Sequence, residues 1–285
     1  MSKKILCAAD LTESPYNFAK TLSDCQEVGF NKVIFLHVIE REKVAFVPYG
    51  GYLKDEEMRL REIATAYFES LAEKMQKKGI GTEIRVEVGI PVAQILRTIE
   101  KDKDIGLVVA GKRKKSKFVA LLETIYGRST IASLIRRSPV PVLLINKEEE
   151  VFKSRIKEVF EHVILATDWS PSANHACAFL LGFKKLIKEV DVIHVINEKV
   201  ATPTLKSFKR KLEETFNFLK REGLPAETYF YTGDAAEQII QAAERHKATA
   251  IAIGKPKKQS LKELLFGSPS FWVAEMSEVP TLVVP

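Results

Sequence analysis

Ile5-Leu6-Cys7-Ala8-Ala9-Asp10-Leu11-Thr12, near the start of the chain, returns in its middle as Ile164-Leu165-Ala166-Thr167-Asp168-Trp169-Ser170. Three further landmarks follow each copy in the same order. They are a strand end with a histidine, Leu36-His37-Val38 against Ile193-His194-Val195; a glycine closing an apolar run, Gly111 against Gly254; and a last apolar run holding Pro141 or Pro280. Two passes through one set of landmarks make a duplicated domain. The offset between copies is 158 residues at Asp10 and Asp168, 144 at Gly89 and Gly233, and 139 at the last prolines. The second copy is therefore shorter, with most of the shortening between Val38 and Gly89. The loop from Arg41 to Met58, which carries Pro48-Tyr49-Gly50-Gly51-Tyr52, has no counterpart after Val195 and reads as an extra arm.

At 285 residues, 46% hydrophobic and 28% charged, the chain has material for two ordinary cores. The expected division is a first domain over 1–147, a linker over 148–160 and a second domain over 161–285. The longest apolar runs, such as Pro139 to Ile145, are strand-length and fall far short of the ~20 residues that span a bilayer. The first residues reach Asp10, Thr12 and Glu13 too soon for a signal peptide, so a cytoplasmic protein is expected. Cys7, Cys25 and Cys177 form no C-x-x-C pair and occupy inequivalent places in the two copies, which fits buried thiols in a reducing compartment. A visible part of the net charge of +7 follows the two glycines, as Lys112, Arg113, Lys114, Lys115 and Lys117 in one copy and Lys255, Lys257, Lys258 and Lys262 in the other. So local an excess favours a small anionic ligand over a long polyanion; a solvated loop is the plainer alternative.

Each copy alternates strand-length and helix-length apolar patterns. In the first, runs at Lys4 to Ala9, Lys32 to Val38, Thr82 to Val88, Ile105 to Ala110 and Val140 to Ile145 have the length and β-branched content of buried strands. Helical stripes lie between them: Ala19, Leu22 and Val28, then Leu60, Ile63, Ala64, Tyr67, Phe68, Leu71 and Met75. The second copy places strands at His162 to Thr167, Asp191 to Ile196, Glu227 to Tyr231, Ala248 to Ile253 and Thr281 to Val284. Alternation of this kind implies right-handed crossovers and a parallel sheet covered on both faces. The expected fold class is α/β, two doubly wound, Rossmann-like domains of five parallel strands in tandem. Ligands of such sheets sit beyond the carboxyl ends of the strands where the strand order reverses, here between strands one and four. Asp10 and Asp168 end strand one and Gly111 and Gly254 end strand four, so the repeated polar landmarks converge on one crevice per domain.

Asp168-Trp169-Ser170-Pro171-Ser172 and its counterpart from Asp10 to Pro15 are strand-to-helix turns rich in N-cap residues. The aspartate either braces the turn or, with Thr12, Ser14, Ser170 and Ser172 free to cap, presents its carboxylate to a ligand's donor. After strand four comes a basic loop and then a glycine with a hydroxyl residue opening a helix, Gly267-Ser268 in the second copy. A helix N-terminus with free N–H groups is an anion site, and a glycine there lets a phosphate approach the backbone.

With these motifs the chain resembles a tandem universal stress protein, two copies of the α/β domain of that family, also described as adenine-nucleotide alpha-hydrolase-like. The resemblance covers all but the linker and the arm. It implies binding of ATP or AMP or ADP through G-x2-G-x9-G-[S/T], with Mg²⁺ arriving through the phosphates. By similarity Asp168 and the backbone of Val195 would hold adenine, Gly254 the ribose, and Gly267 and Ser268 the phosphates. Asp10, Val38, Gly111, Gly127 and Ser129 take those places in the first copy. Both copies depart from the pattern: Lys257 and Lys114 stand at the second glycine, which removes the backbone freedom of that position and supplies a cation. The first copy's loop is three residues longer, and Arg128 separates Gly127 from Ser129; its Arg113 matches a basic residue of the family's loop where the second copy has Pro256. The second copy is the preferred nucleotide site.

His37 and His194 read as strand-end histidines packed beside a neighbouring loop. His162, His175 and His246 are scattered in sequence, so no protein-bound metal site is expected. No G-x-S-x-G elbow, P-loop or repeated acid pair is present. Trp169 either leans on a base or packs; Phe271 and Trp272 read as a buried helix face. Nucleic-acid binding ranks last, because the basic residues lie on two loops with no aromatic platform between them. Each domain ends in an apolar edge strand, an association surface. Single-domain relatives resemble dimers formed through that strand, so the tandem is expected to pair its own last strands as a pseudo-dimer, with a packed helical linker and room for further homodimerisation. The functional expectation is a stress-response regulator that binds an adenine nucleotide and presents a surface to a protein partner. The alternatives are a nucleotide-independent interaction module and, behind it, a slow ATPase.

Overall fold

The computed structural model describes residues 3–9, 11, 22–46, 51–112, 116, 119, 129–146, 156–196, 202–255 and 268–285. The first copy contributes β1 (Lys3–Ala8), β2 (Phe30–Glu40), β5 (Gly81–Gly89), β6 (Ile105–Lys112) and β7 (Val142–Asn146), and a short hairpin of β3 (Ala45–Phe46) with β4 (Gly51–Tyr52). The second contributes β8 (His162–Ala166), β9 (Glu189–Ile196), β10 (Ala226–Thr232), β11 (Ala250–Gly254) and β12 (Thr281–Val284). Ten of these strands form one sheet in the order β10-β9-β8-β11-β12-β7-β6-β1-β2-β5. Within each copy every neighbouring pair is parallel, and the order reverses at strand one, between β1 and β6 and between β8 and β11.

The helices are α1 (Lys54–Gln76), α2 (Pro91–Lys101), α3 (Thr130–Arg137), α4 (Ile156–Val159), α5 (Pro171–Leu181), α6 (Thr202–Arg221), α7 (Ala235–Arg245) and α8 (Pro269–Met276). Their starts follow local chemistry. Ser129, Ser170, Asp234 and Ser268 each accept a hydrogen bond from a first-turn N–H, and proline stands in the first turn of α2, α5 and α8, where its missing donor is not needed. Buried apolar residues form one cluster on each face of the sheet, and both clusters run through both copies. The cysteines lie in this core; burial pushes the thiols of Cys25 and Cys177 up to about 12 and about 11, out of the reactive range.

Three expectations need correction. The segment read as an arm is only partly loop: α1 begins at Lys54, because Asp55, Glu56 and Glu57 favour a helix N-terminus, and residues 47–50 lie outside the described region. On α1 the face turned to the sheet carries Ala64, Phe68, Leu71, Ala72 and Met75, leaving Ile63 at 44% exposure one step off the stripe. The first stripe, where described, is a 3-10 turn over Cys25–Val28 that stops at Gly29, whose φ of 85° suits glycine.

The two copies join through their last strands. β7 and β12 pair antiparallel, Thr281 beside Leu144, Leu282 beside Leu143 and Val283 beside Val142. Leu143, Leu144, Leu282 and Val283 are at most 2% exposed, each burial being favourable by about 1.5–3 kcal/mol relative to exposure. From the linker, Ile156, Val159 and Phe160 enter the core, where the Phe160 ring lies 4.4 Å from that of Phe183; residues 147–155 lie outside the described region.

Two lysines expected on ligand-facing loops are instead part of this joint. Lys112, 1% exposed, donates from Nζ to the carbonyls of Ala274 (2.6 Å) and Ser277 (2.7 Å) at the end of α8. Lys255 reciprocates, donating to the carbonyls of Arg136 (3.0 Å) and Ser138 (3.1 Å) at the end of α3. Each glycine of strand four is thus followed by a cation that satisfies the free carbonyls and negative dipole end of the other copy's last helix. Asn146 Nδ2 donates to the Glu278 carbonyl at 2.9 Å, and Ser129 Oγ to Glu275 Oε1 at 3.1 Å, across the same joint. Lys112→Ala is expected to lower the unfolding free energy by ~2–4 kcal/mol, as buried charge-assisted bonds are lost and carbonyls stranded. Urea denaturation of the full chain reads this directly, and a loss under 0.5 kcal/mol would show that the strut is incidental.

Candidate functional site

At the carboxyl end of the second copy's strands, a cavity of about 180 Å³ opens where β8 and β11 diverge. Its floor is Ala166, Ile193, Ile239 and Ile253, and its polar rim includes Asp168, Ser170, His194 and Ser270. Val195 and Gly254 line it as well. Three of the residues singled out in the sequence, Asp168, Val195 and Gly254, are therefore brought together. Ala173 and Ser170 contribute from the start of α5, Ala235 from the start of α7, and Pro269 and Ser270 from the start of α8, so three helix N-termini converge on one space. That convergence brings three positive dipole ends to the mouth, with part of the first-turn donors taken by the caps and none offered by Pro171 and Pro269.

Asp168 is exposed, and its Oδ1 accepts from Ser170 N–H at 2.9 Å, bracing the turn. Helix capping falls to Ser170, whose Oγ accepts from Ala173 N–H at 3.3 Å. The carboxylate thus braces with one oxygen and keeps the other toward solvent. Gly254 has a plain packing reason: a Cβ there would lie 2.4 Å from Ala173 N and from the Ser172 carbonyl carbon. The missing side chain lets the first turn of α5 sit directly on β11, which closes one side of the cavity.

His194 was expected as a packed strand-end histidine and is one. Its Nδ1 donates to the Thr167 carbonyl at 2.8 Å, and its ring lies against Trp169 (4.3 Å between centroids) and Phe208 (4.5 Å). His37 repeats the bond in the first copy, to the Ala9 carbonyl at 3.1 Å. Each histidine ties strand two to the loop leaving strand one, and His194 additionally forms part of the cavity wall, a role that its sequence context does not announce. Trp169, at φ 58°, points away from the cavity; its Nε1 donates to Thr215 Oγ1 at 3.3 Å and its ring stacks on Phe208 under the Lys211 ammonium. Phe271 is buried and Trp272 packs against the core, as expected.

Ser268 and Ser129 stand at the helix starts where the motif puts a hydroxyl residue, and both act there as N-caps. Ser268 is 1% exposed; its Oγ accepts from Phe271 N–H at 3.3 Å and pairs with Ser270 Oγ at 3.0 Å. Ser129, 2% exposed, caps α3 by accepting from Ala132 N–H at 3.0 Å and donates to Glu275. Val38 is half-buried on β2 beside Glu87, and Gly111 lies on β6 beside Ile145. Asp10, Arg113, Lys114, Gly127, Lys257 and Gly267 lie outside the described residues, as do Lys115, Lys117, Lys258 and Lys262.

Desolvation holds the His194 pKa below its ordinary value. The unfolded chain therefore takes up a proton at this residue before the folded one does. The stability associated with neutral His194 is complete above the ordinary histidine pKa of about 6.5 and is lost as pH falls below it. Wild type is expected to lose more melting temperature than His194→Gln between pH 7.5 and pH 5, and parallel pH profiles would refute the assignment. Gly254→Ala, which drives a Cβ into the α5 backbone, is expected to cost ~1–3 kcal/mol in chemical denaturation.

The sequence profile of the universal stress protein family matches residues 1–146 and, a second time, residues 160–285. Universal stress protein YxiE of Bacillus subtilis is 27% identical over an alignment of 147 residues, the match covering 44% of this chain and 99% of that protein. Universal stress protein MJ0577 of Methanocaldococcus jannaschii is 25% identical over 154 residues, covering 44% of this chain and 95% of that protein. Among solved structures, a universal stress protein from Archaeoglobus fulgidus superposes on the whole chain with a TM-score of 0.79 at 24% identity, with 96% of that protein covered. Two consecutive domain matches and a full-length fold likeness agree with the duplicated topology: the chain belongs to the universal stress protein family, as a tandem member.

Proposed function

We propose that this protein binds an adenine nucleotide, ATP or AMP or ADP, in the switch-point cavity of its second copy, and that occupancy alters the surface it offers to a protein partner in a stress response. The observation that carries the reading is the convergence of an apolar slot, an exposed carboxylate and three helix N-termini on one space. An apolar slot takes a base, Asp168 accepts from its amino group, and the helix starts receive phosphate charge. At about 180 Å³ the described space suits the nucleoside end of such a ligand and is below the ~300–1,000 Å³ of whole ligand pockets. In this reading Gly267 and Lys257 belong to the phosphate end, with Mg²⁺ carried by the phosphates; Val38, Gly111, Ser129, Asp10, Arg113 and Gly127 form the corresponding set of the first copy.

A second reading has its own observation. The hydroxyls of Ser268 and Ser129, which the motif assigns to phosphate, are buried and engaged as helix caps, and Ser129 is committed to Glu275 of the other copy. This favours a nucleotide-independent interaction module, most of all for the first copy.

Mass spectrometry of small molecules released from the denatured, untreated protein, followed by calorimetric titration with Mg-ATP and AMP, separates the two. About one adenine nucleotide per chain is expected. Asp168→Ala should weaken binding about tenfold or more, in line with the ~1.5–3 kcal/mol of a hydrogen bond to a charged group. Unchanged affinity in Asp168→Ala would remove the base assignment, and no binding at millimolar nucleotide would favour the interaction module.

A further inference from the structure

The amino ends of the second copy's strands, opposite the cavity, hold a cluster that the sequence reading dispersed. His162 and His246, 84 residues apart in the chain, both approach the same oxygen: Asp191 Oδ2 lies 2.7 Å from His162 Nε2 and 2.6 Å from His246 Nδ1. Asp191 is 1% exposed, and its other oxygen, Oδ1, is buried with no hydrogen-bond partner among the described residues. Glu189 joins from the same strand face, 3.8 Å from His162 Nδ1. One ligand atom each from His162, Glu189 and Asp191 lies within 4.8 Å of the others. Tyr231 O–H and His246 Nε2 are 2.7 Å apart, which orients the second imidazole from behind.

The first copy is an internal control for what this place requires. Strand registers align Lys4, Lys32 and Arg85 with His162, Glu189 and Tyr229, and Glu83 with Glu227. In the first copy the carboxylates are matched by fixed cations. Lys4 lies 2.9 Å from Asp102 and 3.4 Å from Asp104, and Glu83 lies 2.6 Å from both Lys32 and Arg85. In the second copy all three cations are replaced, one by a carboxylate, and Asp191 stands where the first copy has Ile34. The nearby cations are otherwise placed: Arg245 faces the Tyr231 ring, and Lys188 pairs with Glu161.

We propose that this cluster binds one divalent transition-metal ion of the zinc class, ligated by His162, Asp191 and His246 with Glu189 as the outer ligand. Two imidazoles and two carboxylates are the borderline donor set that such ions take in tetrahedral geometry. Each imidazole nitrogen, now 2.7 or 2.6 Å from Asp191 Oδ2, would move out to about 3.3 Å from it around a metal at ~2.0–2.1 Å, while the two imidazoles and Glu189 close on the ion from either side. Each imidazole would ligate through the nitrogen that now faces Asp191, its ring proton moving to the other nitrogen, which for His246 faces the Tyr231 oxygen. The ion would supply the cation that Lys4, Lys32 and Arg85 supply in the other copy, and pin β8, β9 and the end of α7 together.

The test is calorimetric titration of the metal-free full chain with Zn²⁺, with Co²⁺ as a spectroscopic reporter of tetrahedral coordination. The expected result is about one ion per chain, intense visible Co²⁺ absorption, and a melting temperature raised by Zn²⁺. His162→Lys installs the residue of the first copy and should keep the fold while weakening Zn²⁺ binding at least tenfold. His246→Gln should do the same, and Asp191→Asn should abolish the Co²⁺ spectrum. His175→Gln, at an exposed histidine on α5, should change nothing. No binding at millimolar Zn²⁺, or binding undiminished in both His162→Lys and His246→Gln, would overturn the proposal; if Asp191→Asn does not fold, the two histidine variants decide it.

Discussion

The antiparallel pairing of β7 with β12 is the constraint on which the rest of the molecule depends. A five-stranded domain of this topology ends in an apolar strand at the sheet edge, and such an edge left open invites association with other chains. Here the two edges cover one another, so Leu143, Leu144, Leu282 and Val283 become interior residues of a ten-stranded sheet. The strands that carry Gly111 and Gly254 lie one place away from the seam on either side. The described cavity is lined wholly by residues of the second copy and lies one strand away from the seam.

This geometry explains the reciprocal lysines. A residue following strand four points across the seam toward the end of the other copy's last helix, where free carbonyls and a negative dipole end await a donor. Lys112 and Lys255 meet that demand, and burial lowers the pKa of the Lys255 ammonium without removing its partners. The first residue of the charge that follows each glycine belongs to the joint between the copies, a role that composition alone does not reveal. Because the strut adjoins the glycine, any ligand that moved the strand-four loop would act close to the interdomain joint.

The fold was legible because its signals are local and repeated. The strand-length runs at Ile105 and Thr281 begin where the strands begin, and the duplicated order of Asp, His, Gly and Pro survives a 19-residue fall in offset. That Asp168, Val195 and Gly254 would lie around one cavity was legible because topology alone carries strand ends to a switch point. The rest depends on distances that a sequence does not contain. That Ser268 is buried as a helix cap is not written in its motif, and Lys112 reads as loop until it is found against Ala274. Ile63 fits a helical stripe by spacing, yet the sheet covers only the face one residue further on. His162 and His246 stand on a strand start and a helix end, and only the crossover between them brings both to Asp191.

Duplication also shows how one backbone supports different chemistry at its two ends. At the carboxyl ends of the strands the copies keep the same devices: His37 and His194 make the same bond to the loop after strand one, and Ser129 and Ser268 cap equivalent helices. At the amino ends they diverge, a neutralised ion-pair network in the first copy facing a histidine-carboxylate cluster in the second. A position that only stabilises the fold tolerates either solution, provided that the charges balance. The first copy balances them with its own side chains. In the second, Asp191 is buried deeper than any carboxylate of the first copy's network, and two imidazoles share one of its oxygens while the other has no described partner. Burying a carboxylate without full compensation costs several kcal/mol, so the amino end of the second copy carries an electrostatic cost that the ion pairs of the first copy avoid.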